Sequence, residues 1–128
     1  LGSLHPTRDF NYIKDTVRGF IAVANAKKSV GEVVNIGSNF EISIGDTVQL
    51  ISEVMNTQID IETDQVRLRP EKSEVERLWA DNRKALAICD WKPEYGGREG
   101  LKRGIGETVQ WFLDPTNRQR YKSNVYNI

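Results

Sequence analysis

The sequence predicts a small α/β (mixed α+β) domain with about four helices and a few short strands. Two observations carry that expectation. Apolar residues recur at helical spacing in four stretches, and two short β-type stretches alternate with them across brief connections. A third, the length of 128 residues, fits one domain that buries roughly two-thirds of its unfolded surface.

The first helix is expected over residues 12–26, with Ile13, Val17, Phe20, Ile21 and Ala24 on one face and Asp9 or Asn11 as cap. After a polar break, Glu32-Val33-Val34-Asn35-Ile36, bounded by Gly31 and Gly37, reads as a short strand with Asn35 near its C-terminal end. Ser43-x-x-Asp46 resembles a capping box and opens a helix with Ile44, Val48, Ile51 and Met55 on one stripe, ending near Asn56. Ile59-Asp60-Ile61-Glu62-Thr63 alternates as a half-buried strand does, and the charged segment 64–76, broken by Pro70, is expected to be a loop. Asp81 is placed to cap a short helix carrying Leu86 and Ile88, stopped by Trp91-Lys92-Pro93. The last helix spans 98–113, with Leu101, Ile105, Val109 and Phe112 on one face. Its Gly104 and Gly106 each cost about 1 kcal/mol relative to Ala, which points to close packing there. Asp114-Pro115 ends it, dividing the chain into a folded domain, 1–113, and a polar tail, 114–128.

The 18 Lys+Arg and 18 Asp+Glu leave a formal net charge of +0, which removes the usual electrostatic case for a nucleic-acid or membrane-surface partner. An anion must then be held by a few placed residues. No apolar stretch approaches the roughly 20 residues that cross a bilayer, so no membrane partner is expected. Cys89 is the lone cysteine, which suits a reducing, cytoplasmic setting, and with one His the chain offers no Cys/His zinc site. The sequence opens at Leu1 and its only methionine is Met55, so the expectation is a piece of a longer protein.

Several kinds of chemistry lack their signatures. No G-x-G-x-x-G follows a strand, no Tyr-x-x-x-Lys pair occurs, and no G-x-S-x-G elbow is present. Three places remain. Arg8, just before a helix start, offers bidentate donors suited to a pyrophosphate; the alternative is a surface pair with Asp9. Asn35, a polar amide in an apolar run before Gly37, suits a side chain facing a ligand; the alternative is an Asn bonding its own turn. Arg67-Leu68-Arg69-Pro70, with Glu74 downstream, can present a guanidinium into a cleft; the alternative is a solvated loop.

Pro6-Thr7-Arg8-Asp9-Phe10-Asn11-Tyr12-x-x-Asp15, Val34-Asn35-Ile36-Gly37, Arg69-Pro70 with Glu74-Val75, and Ala80-Asp81-Asn82-x-Lys84-Ala85 through Trp91-Lys92-Pro93 together resemble the C-terminal part of the extended short-chain dehydrogenase/reductases, the NAD-dependent epimerase/dehydratase family. The run Arg67 to Val75 is most similar to UDP-N-acetylglucosamine 4,6-dehydratases of the legionaminic-acid type. The resemblance implies a two-domain parent enzyme of cell-surface polysaccharide biosynthesis, a lyase. Its N-terminal Rossmann domain would hold NAD and the catalytic Tyr and Lys, and this smaller domain would bind the nucleotide-sugar, UDP-linked by preference. The implied reaction is oxidation at sugar C4, loss of water across C5 and C6, and hydride return to C6. On that resemblance Arg8 and Arg69 match positions contacting the diphosphate or ribose, Asn35 a diphosphate-contacting Asn, and Glu74 a substrate-binding position, although two extra residues separate Arg69-Pro70 from Glu74-Val75 compared with GDP-mannose enzymes. The resemblance places no catalytic residue and no cofactor site in this chain, which is expected to be inactive alone and to self-associate through a surface made for the missing domain. A nucleotide-sugar 4-epimerase or GDP-sugar dehydratase fragment, or a free-standing module for a phosphorylated ligand, are the competing readings.

Overall fold

The computed structural model describes residues 1–64, 66 and 73–120. Its sheet is minimal. Strand β1 (Thr7–Arg8) is flanked by β2 (Ile42–Ser43), antiparallel, and β3 (Arg77–Leu78), parallel, so residues far apart in sequence meet side by side. The side chains reinforce this pairing. Glu41 accepts from Thr7 Oγ1 at 2.8 Å and from Arg77 Nε at 2.7 Å, and Arg77 in turn stacks over the Trp79 ring, 5.1 Å from its centroid. Bidentate pairing with Arg77 holds the Glu41 carboxyl below its ordinary pKa.

Among the described residues there are five α-helices, one more than the sequence suggests. Helix α1 (Ile13–Asn25) is followed by a 3₁₀ turn (Lys27–Ser29). Helix α2 (Ile44–Met55) forms as its local signals dictate. Ser43 Oγ accepts the Asp46 N–H at 2.9 Å and donates to Asp46 Oδ2 at 2.6 Å, and Asn56 closes the helix in the left-handed conformation at φ 48°. Helix α3 (Arg83–Cys89) has Asn82 at its N-cap position, one place after the expected Asp81, whose Oδ1 nevertheless accepts the Arg83 N–H at 3.0 Å, and it ends with Asp90 left-handed. Helix α4 (Gly97–Leu113) packs across α2. The fifth helix, α5 (Pro115–Arg120), occupies the start of the expected tail, because Pro115 is tolerated in a first turn.

The core is modest. Ile42, Leu50 and Leu101 are buried together, with Phe40 and Ile105 against them, where α2 and α4 meet β2. Gly104 of α4 is closely packed: a Cβ would stand 3.1 Å from the Tyr12 ring, which would have to give by a few tenths of an ångström. Gly106 is not, since its nearest neighbour would be Val54 at an ordinary 3.9 Å.

Two expected strands do not form. Residues 32–36 make no ladder, and Val33 is exposed; a β-branched run without a neighbouring strand gains nothing from pairing propensity. Residues 59–63 likewise form no strand, although the next residue, Asp64, donates its N–H to the Leu1 carbonyl at 2.8 Å. The apolar stripe of α1 also faces outward. Ile13 is 63% and Phe20 71% exposed, with Val17 at 48% and Ile21 at 56%, whereas the buried face carries Asp15 and Gly19.

Asp15 explains this inversion. Fully buried, its Oδ1 accepts from Arg18 Nη1 at 2.8 Å and the Glu94 N–H at 3.0 Å, and its Oδ2 accepts the Tyr95 N–H at 2.8 Å. It ties the connection between α3 and α4 to α1, and each bond to its charge is worth about 1.5–3 kcal/mol. Asp15→Ala strands the Glu94 and Tyr95 backbone donors while Arg18 keeps Glu94 and the Lys92 carbonyl; urea denaturation is expected to show about 2–5 kcal/mol less stability.

Candidate functional site

The site forms where β1 ends. Arg8 is mostly buried, and its guanidinium is held on three sides: Nη1 donates to the Thr7 carbonyl at 2.7 Å and the Val75 carbonyl at 2.8 Å, and Nη2 to Glu74 Oε1 at 3.3 Å. Glu74 is more buried still. Two of the four sequence-derived candidates, 66 residues apart, are therefore in direct contact. Among the described residues no partner takes the Nε–H of Arg8 or its second Nη2 hydrogen, which leaves two donors of the guanidinium fork for a ligand.

Asn35 is exposed on the connection between α1 and β2, where its Nδ2 reaches the Asp81 carbonyl at 3.5 Å; among the described residues it bonds neither Arg8 nor Glu74. It does not bond its own turn. Arg69, the fourth candidate, lies outside the described residues, as does Arg67.

The sequence reading missed Asp9. It neither caps α1 nor pairs with Arg8; its carboxylate gathers donors from two distant loops. Oδ1 accepts the Ser38 N–H at 2.9 Å and the Ser38 hydroxyl at 2.5 Å, and Oδ2 accepts the N–H groups of Asn39 at 3.1 Å and Ala80 at 3.2 Å. The two loops touch each other as well. Asn82 Nδ2 donates to the Gly37 carbonyl at 2.9 Å, and a Cβ on Gly37 would stand 2.4 Å from that of Ala80, so only glycine fits. At the loop's outer edge, the Arg83 hydrogen bond holds the Asp81 carboxyl at about 2. A polar residue just after Arg8 was the only signal for Asp9, because its partners lie 29 to 71 residues away.

A second titratable cluster lines an open cleft of about 660 Å³ between the start of α1 and the end of α4. Glu107 Oε2 accepts from Tyr12 Oη at 3.0 Å and Lys14 Nζ at 2.6 Å, and Oε1 from Tyr95 Oη at 2.6 Å; the two tyrosine rings lie 4.5 Å apart. Burial raises the Tyr12 phenol, and the bond to Glu107 raises Tyr95, so neither supplies a base at neutral pH. The cluster is a clamp between α1 and α4. Among the described residues no group of three or more His, Cys, Asp or Glu could hold a metal. In the described sheet, α2 is the helix that directly follows a strand, and its N-terminus is filled by Ser43 and the Asp46 carboxylate, which repels phosphate.

The sequence profile of the GDP-mannose 4,6 dehydratase family matches residues 1–104. The chain belongs to that family, among the NAD-dependent epimerases and dehydratases of the extended short-chain type. It is 36% identical over 106 residues to UDP-glucuronate 4-epimerase of Thermodesulfobacterium geofontis, a match covering 81% of this chain and 29% of that protein. It is 32% identical over 119 residues to human dTDP-D-glucose 4,6-dehydratase, covering 88% of this chain and 31% of the relative. The crystal structure of UDP-glucuronic acid 4-epimerase from Bacillus cereus, in complex with UDP-glucuronic acid and NAD, superposes with a TM-score of 0.73 at 28% identity, covering 94% of this chain and 35% of that one. The chain thus spans about a third of the length of the relatives it matches.

The clamp titrates in a defined direction. Its partners, Lys14 first, hold the Glu107 carboxyl at about 2 against an ordinary value near 4.5. Its contribution to stability is therefore complete above the ordinary value and disappears as pH falls toward about 2. Glu107→Gln is expected to be less stable than the native protein at pH 7, and thermal unfolding should show the gap closing between about pH 4.5 and pH 2. A gap independent of pH would show that the carboxylate charge plays no part.

Proposed function

We propose that this chain is the nucleotide-sugar-binding part of an NAD-dependent 4,6-dehydratase, and that Arg8, Asn35, Arg69 and Glu74 bind the substrate. The observation that carries this reading is the contact between Arg8 and Glu74, which puts a guanidinium with two donors left beside a mostly buried carboxylate. That combination suits a ligand carrying phosphate next to hydroxyls. The guanidinium takes phosphate oxygens, and the carboxylate accepts sugar hydroxyls through its remaining lone pairs. Bare phosphate would meet the carboxylate as a repelling charge. Within the family, the similarity of the 67–75 run favours the legionaminic-acid type, acting on UDP-N-acetylglucosamine in the cytoplasm for cell-surface polysaccharide.

NAD and the groups that move protons belong, in this reading, to a Rossmann domain of the parent protein, and this chain alone turns over no substrate. The outward apolar stripe of α1, Ile13, Val17, Phe20 and Ile21, is the surface proposed to meet that domain; uncovered, it promotes self-association. One observation favours a second reading: a 4-epimerase is as similar to this chain as a dehydratase is.

The reaction is tested on the parent protein with NAD and UDP-N-acetylglucosamine, the product followed by NMR. A 4-keto-6-deoxy sugar supports the dehydratase, a 4-epimer the alternative. The site is tested by calorimetric titration with UDP and GDP. Arg8→Ala is expected to weaken UDP binding about 10- to 100-fold, the loss for hydrogen bonds to a charged group, and an unchanged affinity would remove Arg8 from the site.

A further inference from the structure

The loop that carries Asn35 has no strand ladder to hold it, and neither has the connection between β3 and α3. Both are nevertheless fixed at one point. The four donors that converge on the Asp9 carboxylate come from Ser38, Asn39 and Ala80, and Asp9 itself is anchored by donating its backbone N–H to the Leu78 carbonyl at 2.9 Å. Beyond this point the two loops run on together, joined by Asn82 to the Gly37 carbonyl and by Asn35 to the Asp81 carbonyl. Asp9 is also the residue after Arg8. A carboxylate that holds the Asn35 loop thus sits one peptide from the guanidinium it would work with.

We infer that Asp9 is the positioning residue of the diphosphate site: it fixes where Asn35 stands relative to Arg8 without touching the ligand. The inference rests on the assignment of Arg8 and Asn35 to substrate binding. The chemistry requires an ionised carboxylate rather than any polar group. Both oxygens face donors only, so an amide at this place would turn its NH₂ either on the two donors from Ser38 or on the N–H groups of Asn39 and Ala80. Arg8 has separate support from Thr7, Val75 and Glu74, so loss of the Asp9 charge releases the Asn35 loop and leaves the guanidinium in place.

The test is a double-mutant cycle between Asp9→Asn and Asn35→Ala, read as UDP affinity by calorimetry, with Arg8→Ala as reference and thermal unfolding to check folding. Asn35→Ala is expected to weaken UDP binding about fivefold in the native background and less than about twofold in the Asp9→Asn background, because the amide is already displaced. A merely structural Asp9 would lower stability and leave the two effects multiplying independently; that result, or unchanged affinity in Asp9→Asn, overturns the inference while the substrate assignment stands. If Arg8→Ala and Asn35→Ala both bind UDP like the native protein, the substrate assignment fails and the inference with it. Should Asp9→Asn not fold, Ser38→Ala removes one of the four donors and is expected to show the same dependence at smaller amplitude; additive effects there overturn the inference equally.

Discussion

Carboxylates accepting backbone N–H groups do for this chain what a larger sheet does for others. Among the described residues, three strands of two residues leave long connections whose amides have no ladder to join, and an unsatisfied buried amide costs about 1–3 kcal/mol. Asp15 and Asp9 meet that need at two places, one beneath α1 and one at the end of β1. Because the acceptor is charged, each bond is stronger than its neutral counterpart, so one side chain fixes several residues of loop. Arg18 on Asp15 supplies the counter-charge that makes the burial tolerable.

Legibility followed from distance along the chain. Helix α2 was readable to its last residue because Ser43, Asp46 and Asn56 act within one turn of the ends they define. The same holds for the start of α3, where Asp81 acts two residues ahead. The strand over 32–36 failed for the opposite reason: its β-branched residues state a preference, and no neighbour stands beside them. Strands β1, β2 and β3 passed unnoticed because two residues carry no period. Arg8 and Asn35 could be singled out as unusual residue types, but the Arg8–Glu74 contact and the donors around Asp9 span 29 to 71 residues and leave no local trace.

The first helix shows how a correct period gives a wrong face. Ile13, Val17, Phe20 and Ile21 recur as a core stripe should, and the helix forms as expected, yet the stripe points to solvent while a carboxylate and a glycine face inward. Periodicity reports that a face is made for apolar contact; it does not say with what. Within this domain the inward face of α1 holds the connection between α3 and α4 through Asp15, and the small core lies elsewhere, around Leu50 and Leu101, where α2 and α4 meet. A stripe this exposed costs solubility unless something covers it, and a chain about a third the length of its relatives leaves room for the covering domain proposed above.

The same economy shapes the site. A protein with no net charge has no background field to draw an anion, so the fixed geometry of a few groups must do it. Glu74 weakens the attraction of Arg8 for phosphate, and this looks wasteful until the entropy is counted. A free Arg side chain gives up about 2 kcal/mol of rotamer freedom on being ordered, and here Thr7, Val75 and Glu74 have ordered it before any ligand arrives. In the proposed site, what Glu74 subtracts in charge it would return in preorganisation, and it would add selectivity, because an anion without hydroxyls gains nothing from the carboxylate beside it. In the role proposed for it, the pair would discriminate by the neighbours of a phosphate and not by its charge alone, which is the discrimination a nucleotide-sugar site needs.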